Sequence, residues 1–227
     1  MLEELKEKVC KANLKLYNSG IVISTFGNVS QIDRDKGLVV IKPSGVKYSL
    51  MGPNEMIIVD LEGNVIEGNL RPSTDTPTHL ELYREYPEIY GIAHTHSVNA
   101  TSFAQAGVPI KPFGTTHADH FYGEIPVTRD LTQEEVENNY ELNTGKVIVE
   151  TVKNPLDIPG VLVKKHGVFT FGTDAINSVN NAIILENIAQ IAIKTLFVNK
   201  QTDEIAKFLL KKHHSRKFGK DKYYGQK

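Results

Sequence analysis

The sequence predicts an α/β protein, built as a three-layer α/β/α sandwich around a mainly antiparallel central sheet. Runs rich in Val and Ile are joined by short turns, so neighbouring strands are expected to pair as hairpins. Amphipathic helical stripes occur at both ends and in the middle of the chain, where they can cover the sheet. The length of 227 residues, 40% of them hydrophobic, suits a single domain over residues 1–227.

The first third of the chain is expected to form one helix followed by two strand pairs. Apolar residues at three- and four-residue steps predict a helix over 2–16 that ends near Gly20. β-Branched runs separated by turn residues then predict four strands, over 21–25, 38–42, 56–61 and 65–67. The first two strands form a hairpin around Gly37, and the last two turn at Gly63.

The rest of the chain alternates between helices and strands. Thr76 is a good N-cap and Pro77 suits the first helical turn, so a helix is expected up to Tyr86. Strands are predicted over 88–93, 161–167 and 168–171. Further helices are predicted over 98–106, from Thr132 in a capping box, over 174–198 and over 203–213. After an interruption at Gly145, a helix is also predicted over 146–152, where the β-branched run permits a strand as well. The basic tail, residues 211–227, lacks a long apolar run and is expected to be solvated.

Composition excludes several classes of function. The 26 basic and 27 acidic residues nearly balance, so net charge supports no partnership with nucleic acid or with a membrane surface. The single cysteine, Cys10, rules out an internal disulfide and suits a reducing compartment. The acidic start of the chain shows no signal peptide, and polar residues interrupt the apolar stretches. A cytoplasmic protein is therefore expected.

Two histidines, His94 and His96, mark the most informative position in the sequence. They stand two residues apart at the end of a predicted strand, where side chains at i and i+2 point to the same face. Both imidazoles can therefore reach one point, as two ligands of a metal ion must. The pair alone also fits two polar residues on a surface edge strand.

Other polar positions allow a functional and an ordinary interpretation. His166 ends an apolar strand and can serve as a third metal ligand or as a capped surface histidine. The turn Ser44-Gly45 exposes backbone N–H groups, as phosphate cradles do, but also fits an ordinary turn. Ser73 and Thr74 precede a helix, where orphan N–H groups attract anions, although such residues are commonly only caps.

Six motifs, taken together in their order along the chain, resemble those of a known family. They are Gly27-Asn28, Lys42-Pro43-Ser44-Gly45, Ser73-Thr74-Asp75-Thr76-Pro77-Thr78-His79, His94-Thr95-His96-Ser97, His117-Ala118-Asp119 and His166-Gly167. The chain resembles the class II aldolase/adducin family over essentially its whole length. Asp75, the run Thr116-His117-Ala118-Asp119 and the terminal Tyr223-Tyr224-Gly225-Gln226 are most similar to the bacterial L-ribulose-5-phosphate 4-epimerase branch. The fuculose-phosphate aldolases of this family carry Glu where this chain has Asp75.

The resemblance implies a catalytic metal site and a phosphate site. Three histidines would hold a zinc ion, Zn²⁺, with an open position for substrate; they are His94, His96 and His166. Asp75 would lie beside the metal and give way to substrate. The phosphate would be bound by the turns that contain Gly27, Asn28, Ser44, Gly45, Ser73 and Thr74. Lys42 would assist at the phosphate or at the charged oxygens of the reacting fragment.

The resemblance also implies a reaction, the interconversion of L-ribulose 5-phosphate and D-xylulose 5-phosphate. The C4 hydrogen is not adjacent to the C2 carbonyl, so C3–C4 cleavage and re-formation is easier than deprotonation at C4. Zinc would act as a Lewis acid. Asp119 and Tyr224 would exchange protons at the two faces of the aldehyde. The family implies a homotetramer with active sites between subunits, so Tyr224, with His213, would reach a neighbouring zinc. Glu141 matches a family position of unassigned role.

Three alternatives remain open at this stage. A class II sugar-phosphate aldolase of the fuculose type would share the fold and the metal but release its fragments. A lysine-dependent aldolase would use Lys42 or Lys165 as a Schiff base. A non-catalytic binding module of the adducin type would not need the histidines, so the presence of all three together with Asp119 and Tyr224 argues against it.

Overall fold

A single antiparallel sheet forms the centre of the protein. The computed structural model describes residues 2–220 and 222–225. Its strands are β1 (Asn28–Asp33), β2 (Leu38–Ile41), β3 (Ile57–Asp60), β4 (Val65–Glu67), β5 (Gly91–Thr95), β6 (Gly160–Leu162) and β7 (Val168–Gly172). The spatial order is β4-β3-β2-β1-β5-β7-β6, and each neighbouring pair is antiparallel. The predicted antiparallel sheet is therefore confirmed.

Helices cover both faces of this sheet. They are α1 (Glu3–Asn18), α2 (Thr76–Glu85), α3 (Val98–Ala106), α4 (Thr115–Ala118), α5 (Gln133–Glu137), α6 (Tyr140–Thr151), α7 (Ala175–Val198) and α8 (Lys207–Phe218). Helices α2 and α6 pack on one face, and α1, α3 and α7 pack on the other. The predicted three-layer α/β/α sandwich is confirmed.

The alternation of side chains along the strands explains the two buried layers. In β2, Val39 and Ile41 join the core beneath α2 and α6, whereas Val40 between them joins the core beneath α1. Successive side chains of a strand point to opposite faces, so a strand buried on both sides must be apolar throughout. This explains why β2 and β3 are almost continuous runs of Val and Ile.

The first predicted strand, residues 21–25, is wrong. These residues form a turn in which Ser24 adopts a left-handed φ of 58° and the Phe26 N–H donates to the carbonyl of Ile23 at 3.0 Å. The strand starts only at Asn28, after Gly27, whose φ is +76°. The β-branched residues 21–25 favour a strand, but tertiary packing overrides this preference because β1 already pairs with β2 and β5.

Two helices also differ from the sequence expectation. Helix α6 continues through Gly145, where a Cβ atom would lie 2.7 Å from the Cβ of Glu81, so the glycine permits close packing against α2 instead of ending the helix. Helix α8 begins at Lys207 rather than Asp203, since the preceding segment is tied to another loop by a bond from the Ile205 N–H to the Pro112 carbonyl. Residues 211–218 of the expected tail belong to α8.

Helix α7 is long and apolar enough to cross a membrane by length and composition alone, with a mean hydropathy of 1.3 in its most apolar window. In the structure one side of it, including Val179, Leu185 and Ala189, is buried in the core next to β5 and β7. Near its end, Phe197 and Val198 are 87% and 84% exposed. The helix thus supplies much of one layer of the sandwich and exposes its last turn.

Candidate active site

Strand β5 and the residue after it carry the predicted histidine pair. His94 is 2% exposed within the strand, and its Nε2 lies 3.0 Å from Nε2 of His96. The Nδ1–H of His94 donates to the carbonyl of Val168 at 2.9 Å, since a carbonyl can only accept. This bond fixes the tautomer and leaves Nε2 of His94 with its lone pair. The two rings therefore turn the same nitrogen toward one point.

His166 comes to the same point from a tight turn between β6 and β7. Lys165 before it takes a left-handed φ of 64°, which is uncommon for a residue with a side chain. At Gly167 after it, a Cβ atom would lie 2.6 Å from the carbonyl oxygen of Thr95. The glycine thus allows the turn to approach β5 closely. As a result, the ring of His166 lies 4.9 Å from the ring of His94 and 4.9 Å from that of His96.

These three histidines fit a metal ion. Their ligand nitrogens all lie within 4.8 Å of one another, and tetrahedral zinc with Zn–N bonds of 2.0–2.1 Å separates its nitrogens by roughly 3.3 Å. Burial and the neighbouring rings lower the pKa of His166 to about 3 and that of His96 to about 4. Both are therefore neutral near pH 7, as metal ligands must be. His₃ with an open position is the donor set of catalytic zinc.

Asp75 lies beside the three histidines, immediately before α2. Its Oδ2 is 3.9 Å from Nε2 of His94 and accepts a hydrogen bond of 2.6 Å from the Asn28 side-chain amide. Burial opposes ionisation of Asp75, but the nearby His94 and His79 and the bond from Asn28 hold its pKa below the usual value. The position suits a carboxylate that can approach a bound cation.

Two polar turns also line this pocket. The Ser44 N–H donates to the Arg71 carbonyl at 2.9 Å, and the Ser73 N–H donates to the Lys42 carbonyl at 2.9 Å. These bonds hold the two turns together, so Ser44, Gly45, Ser73 and Thr74 line one cavity of about 390 Å³ with the histidines. Gly45 has a φ of +67°, a conformation that favours glycine.

Lys42 and Gly27 complete the pocket with Asn28. The Nζ of Lys42 donates to the carbonyls of Thr25 at 3.2 Å and of Pro43 at 3.3 Å. Lys42 as a whole is only 2% exposed. Burial lowers its pKa, which the negative charge of Asp75 partly offsets. At Gly27 a Cβ atom would meet Val22 at 2.8 Å and the His94 carbonyl at 3.0 Å, so only glycine fits against β5.

A comparison with protein families agrees with this geometry. Residues 7–193 match the model of the class II aldolase and adducin N-terminal domain. The chain belongs to the class II aldolase/adducin family. Class II aldolases use a divalent metal, commonly zinc, in agreement with the three histidines that the fold brings together.

Solved structures share the fold of this class II aldolase family member. An L-fuculose 1-phosphate aldolase superposes with a TM-score of 0.80 at 23% identity, covering 94% of this chain and 95% of that chain. YgbL from Klebsiella pneumoniae, described as a putative aldolase/epimerase/decarboxylase, gives 0.74 at 23% identity over 94% and 100%. L-fuculose 1-phosphate aldolase from Glaciozyma antarctica gives 0.76 at 23% identity over 93% and 82%. At these identities the likeness establishes the fold.

The remaining predicted site residues lie in a second cluster, outside the metal pocket. Asp119, at the end of α4, accepts hydrogen bonds from Nδ1 of His213 at 3.0 Å and from Arg216 at 2.9 and 2.6 Å. The Arg216 guanidinium lies 5.0 Å from the ring centre of Tyr224. The structure therefore joins Asp119, His213 and Tyr224 to one another but does not bring them to the histidines of the same chain. Gln226 of the terminal motif falls outside the described residues.

Sequence reasoning missed two residues of these sites. Tyr140 lines the metal pocket and its hydroxyl lies 3.2 Å from Nδ1 of His166, while burial raises the pKa of this tyrosine. Arg216 holds the second cluster together. Glu141, which the resemblance flagged without a role, also lines the pocket. Tyr140 could have been found from its neighbour Glu141, which the resemblance had already flagged. Nothing in the sequence distinguished Arg216 from the other basic residues of the tail.

Proposed function

We propose that this class II aldolase family member is a zinc-dependent L-ribulose-5-phosphate 4-epimerase. The observation that supports the proposal is one pocket of about 390 Å³ that is lined by the three histidines and by two polar turns. A divalent cation held by His94, His96 and His166, with Asp75 beside it, would supply Lewis-acid polarisation of the substrate carbonyl.

The polar turns give the pocket its preference for a phosphate ester. Hydroxyls of Ser44, Ser73 and Thr74 and the backbone of Gly45 can donate to phosphate oxygens. The buried ammonium of Lys42 adds positive charge for the phosphate or for the oxygens that become negative when the C3–C4 bond breaks. Tight binding of the phosphate keeps the two-carbon aldehyde in the pocket while it rotates and presents its other face to the fragment that carries C3.

Epimerisation also requires proton transfer on both faces of that aldehyde. In the proposal, the Asp119 carboxylate takes the C4 hydroxyl proton as the bond breaks, and the Tyr224 hydroxyl returns a proton as the bond re-forms with inverted C4. Their grouping around Arg216 supports a shared task. Because both lie outside the metal pocket of their own chain, the proposal includes a homotetramer whose active sites lie between subunits. We place the enzyme in the cytoplasm, where the free Cys10 stays reduced.

A second candidate is a sugar-phosphate aldolase. It is favoured by the names of the structural neighbours, which include L-fuculose 1-phosphate aldolases. An aldolase would use the same metal pocket but release the aldehyde. The two candidates therefore differ in how well the fragment is retained, and not in the first bond that breaks.

Incubation of the zinc-loaded protein with L-ribulose 5-phosphate separates the candidates. The epimerase is expected to form D-xylulose 5-phosphate without net build-up of glycolaldehyde phosphate. Net cleavage of this or another ketose phosphate as the main outcome would favour the aldolase. Metal analysis of the same sample should find about one divalent ion per chain, and no turnover with a full metal complement would contradict both candidates.

A further inference from the structure

Tyr140 occupies a position between a metal-site histidine and the open pocket. It is the first residue of α6, after Asn139 in a left-handed conformation with φ 62°. Its hydroxyl lies 3.2 Å from Nδ1 of His166, and the two ring centres are 6.0 Å apart. It also lines the cavity together with the histidines and the polar turns.

The direction of this hydrogen bond follows from the role of His166 as a metal ligand. An imidazole that binds a metal is neutral, uses the nitrogen that lacks a proton, and carries its one proton on the other nitrogen. With Nδ1 engaged by Tyr140, Nε2 is free for the metal and Nδ1–H donates to the phenolic oxygen. His94 shows the same arrangement, with its Nδ1–H donating to the Val168 carbonyl.

The two acceptors differ in one respect. The carbonyl of Val168 has no proton, whereas the phenol of Tyr140 has one of its own. When the phenolic oxygen accepts from His166, its O–H remains available to donate. Because Tyr140 lines the cavity, a ligand oxygen there can accept a hydrogen bond from this O–H.

We propose that Tyr140 links His166 to the substrate, accepting from Nδ1–H and donating its own O–H to a hydroxyl or carbonyl oxygen of the bound sugar phosphate. The inference rests on the proposed function, because it takes a polyhydroxylated sugar phosphate as the ligand of the pocket. Through the first bond Tyr140 is a positioning residue that orients the ring of His166. Through the second hydrogen bond it favours substrates that carry an oxygen atom at this position.

The test uses Tyr140→Phe, which keeps the ring and its packing and removes only the hydroxyl. Thr151→Val is the matched control, because it removes a hydroxyl from the last turn of the same helix, where it bonds to the Val147 carbonyl outside the cavity lining. Both variants are first compared with the wild type by circular dichroism and thermal melting. Metal-stripped proteins are then titrated with Co²⁺ by visible absorption, and the zinc-loaded proteins are assayed for KM and kcat.

Tyr140→Phe is expected to bind Co²⁺ about 10- to 100-fold more weakly, as is typical when a group behind a metal ligand is lost. Its KM for the sugar phosphate is expected to rise about 2- to 10-fold, the effect of one lost hydrogen bond. Thr151→Val should change neither value. An unchanged Co²⁺ affinity or an unchanged KM in Tyr140→Phe overturns the link, because the proposal requires both bonds.

The same experiment separates this inference from the proposed function. A wild-type protein that binds Co²⁺ and turns over a sugar phosphate, beside a Tyr140→Phe variant identical to it, refutes the link alone. A wild-type protein that binds no metal and turns over no sugar phosphate refutes the proposed function and the link with it. The Co²⁺ titration needs no substrate, so it tests the hydrogen bond between Tyr140 and His166 independently of the KM and kcat measurements.

Discussion

Arg216 forms a two-point ion pair with Asp119, in which Nε donates to Oδ1 at 2.9 Å and Nη2 donates to Oδ2 at 2.6 Å. A planar guanidinium matches a carboxylate in this way and fixes its orientation as well as its charge. Burial raises the pKa of Asp119, but the bonds from Arg216 and His213 outweigh it, so the pKa is lowered overall. Asp119 is thus held ionised, the form in which a carboxylate accepts a proton.

Arg216→Met is therefore expected to raise the pKa of Asp119. If Asp119 acts as the base, the variant will need a higher pH for activity. The acidic limb of its kcat–pH profile should shift to higher pH by about 1–3 units, the usual effect of one close charge. Arg129→Met is a suitable control, since Arg129 also pairs with carboxylates, Glu135 and Glu150, but lies elsewhere on the surface. Superimposable profiles for Arg216→Met and the wild type would remove Arg216 from the control of this proton.

Mixed assemblies can test whether the two clusters meet between subunits. His94→Asn should lose metal and activity, and Tyr224→Phe should keep the metal but turn over about 10²–10⁴-fold more slowly. Subunits of the two variants, unfolded together and reassembled, are expected to recover part of the wild-type activity, because some sites then combine an intact His94 with an intact Tyr224. Separately reassembled variants serve as the reference. Verified mixed oligomers without any recovery would argue against shared sites.

The cluster of three histidines could be predicted from sequence because local spacing sets much of its geometry. His94 and His96 stand two positions apart at the end of one strand, and the strand period places them on one face. The third histidine, His166, lies in the turn between β6 and β7, which the sequence shows as two apolar runs around Gly167. It reaches the other two because β7 pairs with β5. The left-handed φ of Lys165 could not be foreseen from its residue type.

Features that depend on packing between distant segments were not predictable in this way. Tyr140 meets His166 only because α6 packs against α2 and carries its first turn to the pocket. The residues 21–25 have the composition of a strand, but the sheet positions beside β1 are taken by β2 and β5. Gly145 looks like a helix break until the surface of α2 beside it is known.

Schiff-base formation at a lysine is expected to play no part in catalysis. The Nζ of Lys42 is held by two backbone carbonyls, and that of Lys165 donates to the Gln105 carbonyl, outside the cavity lining. Borohydride added with substrate should therefore leave activity unchanged, whereas a chelator should abolish it and Zn²⁺ should restore it. Inactivation by borohydride, together with resistance to the chelator, would instead identify a Schiff-base aldolase.

Acid is expected to destabilise the metal-free protein partly through His117. This ring is 4% exposed, its Nε2–H donates to the Gly123 carbonyl at 2.6 Å, and burial lowers its pKa to about 4. An unfolded histidine has a pKa near 6.5, so between these values the unfolded chain takes up a proton that the folded chain does not. The contribution of His117 is therefore complete above about pH 6.5 and falls by about 1.4 kcal/mol per pH unit down to about pH 4.

The variant His117→Gln tests this because its side-chain amide can still donate to the Gly123 carbonyl but does not titrate. Urea unfolding of the metal-free proteins at a series of pH values between 4 and 7 gives the free energy of unfolding for each. The wild-type curve should fall more steeply toward acid pH than the variant curve, by up to one proton's worth of slope. Equal slopes across this range would show that His117 takes up its proton in the folded protein as readily as in the unfolded chain.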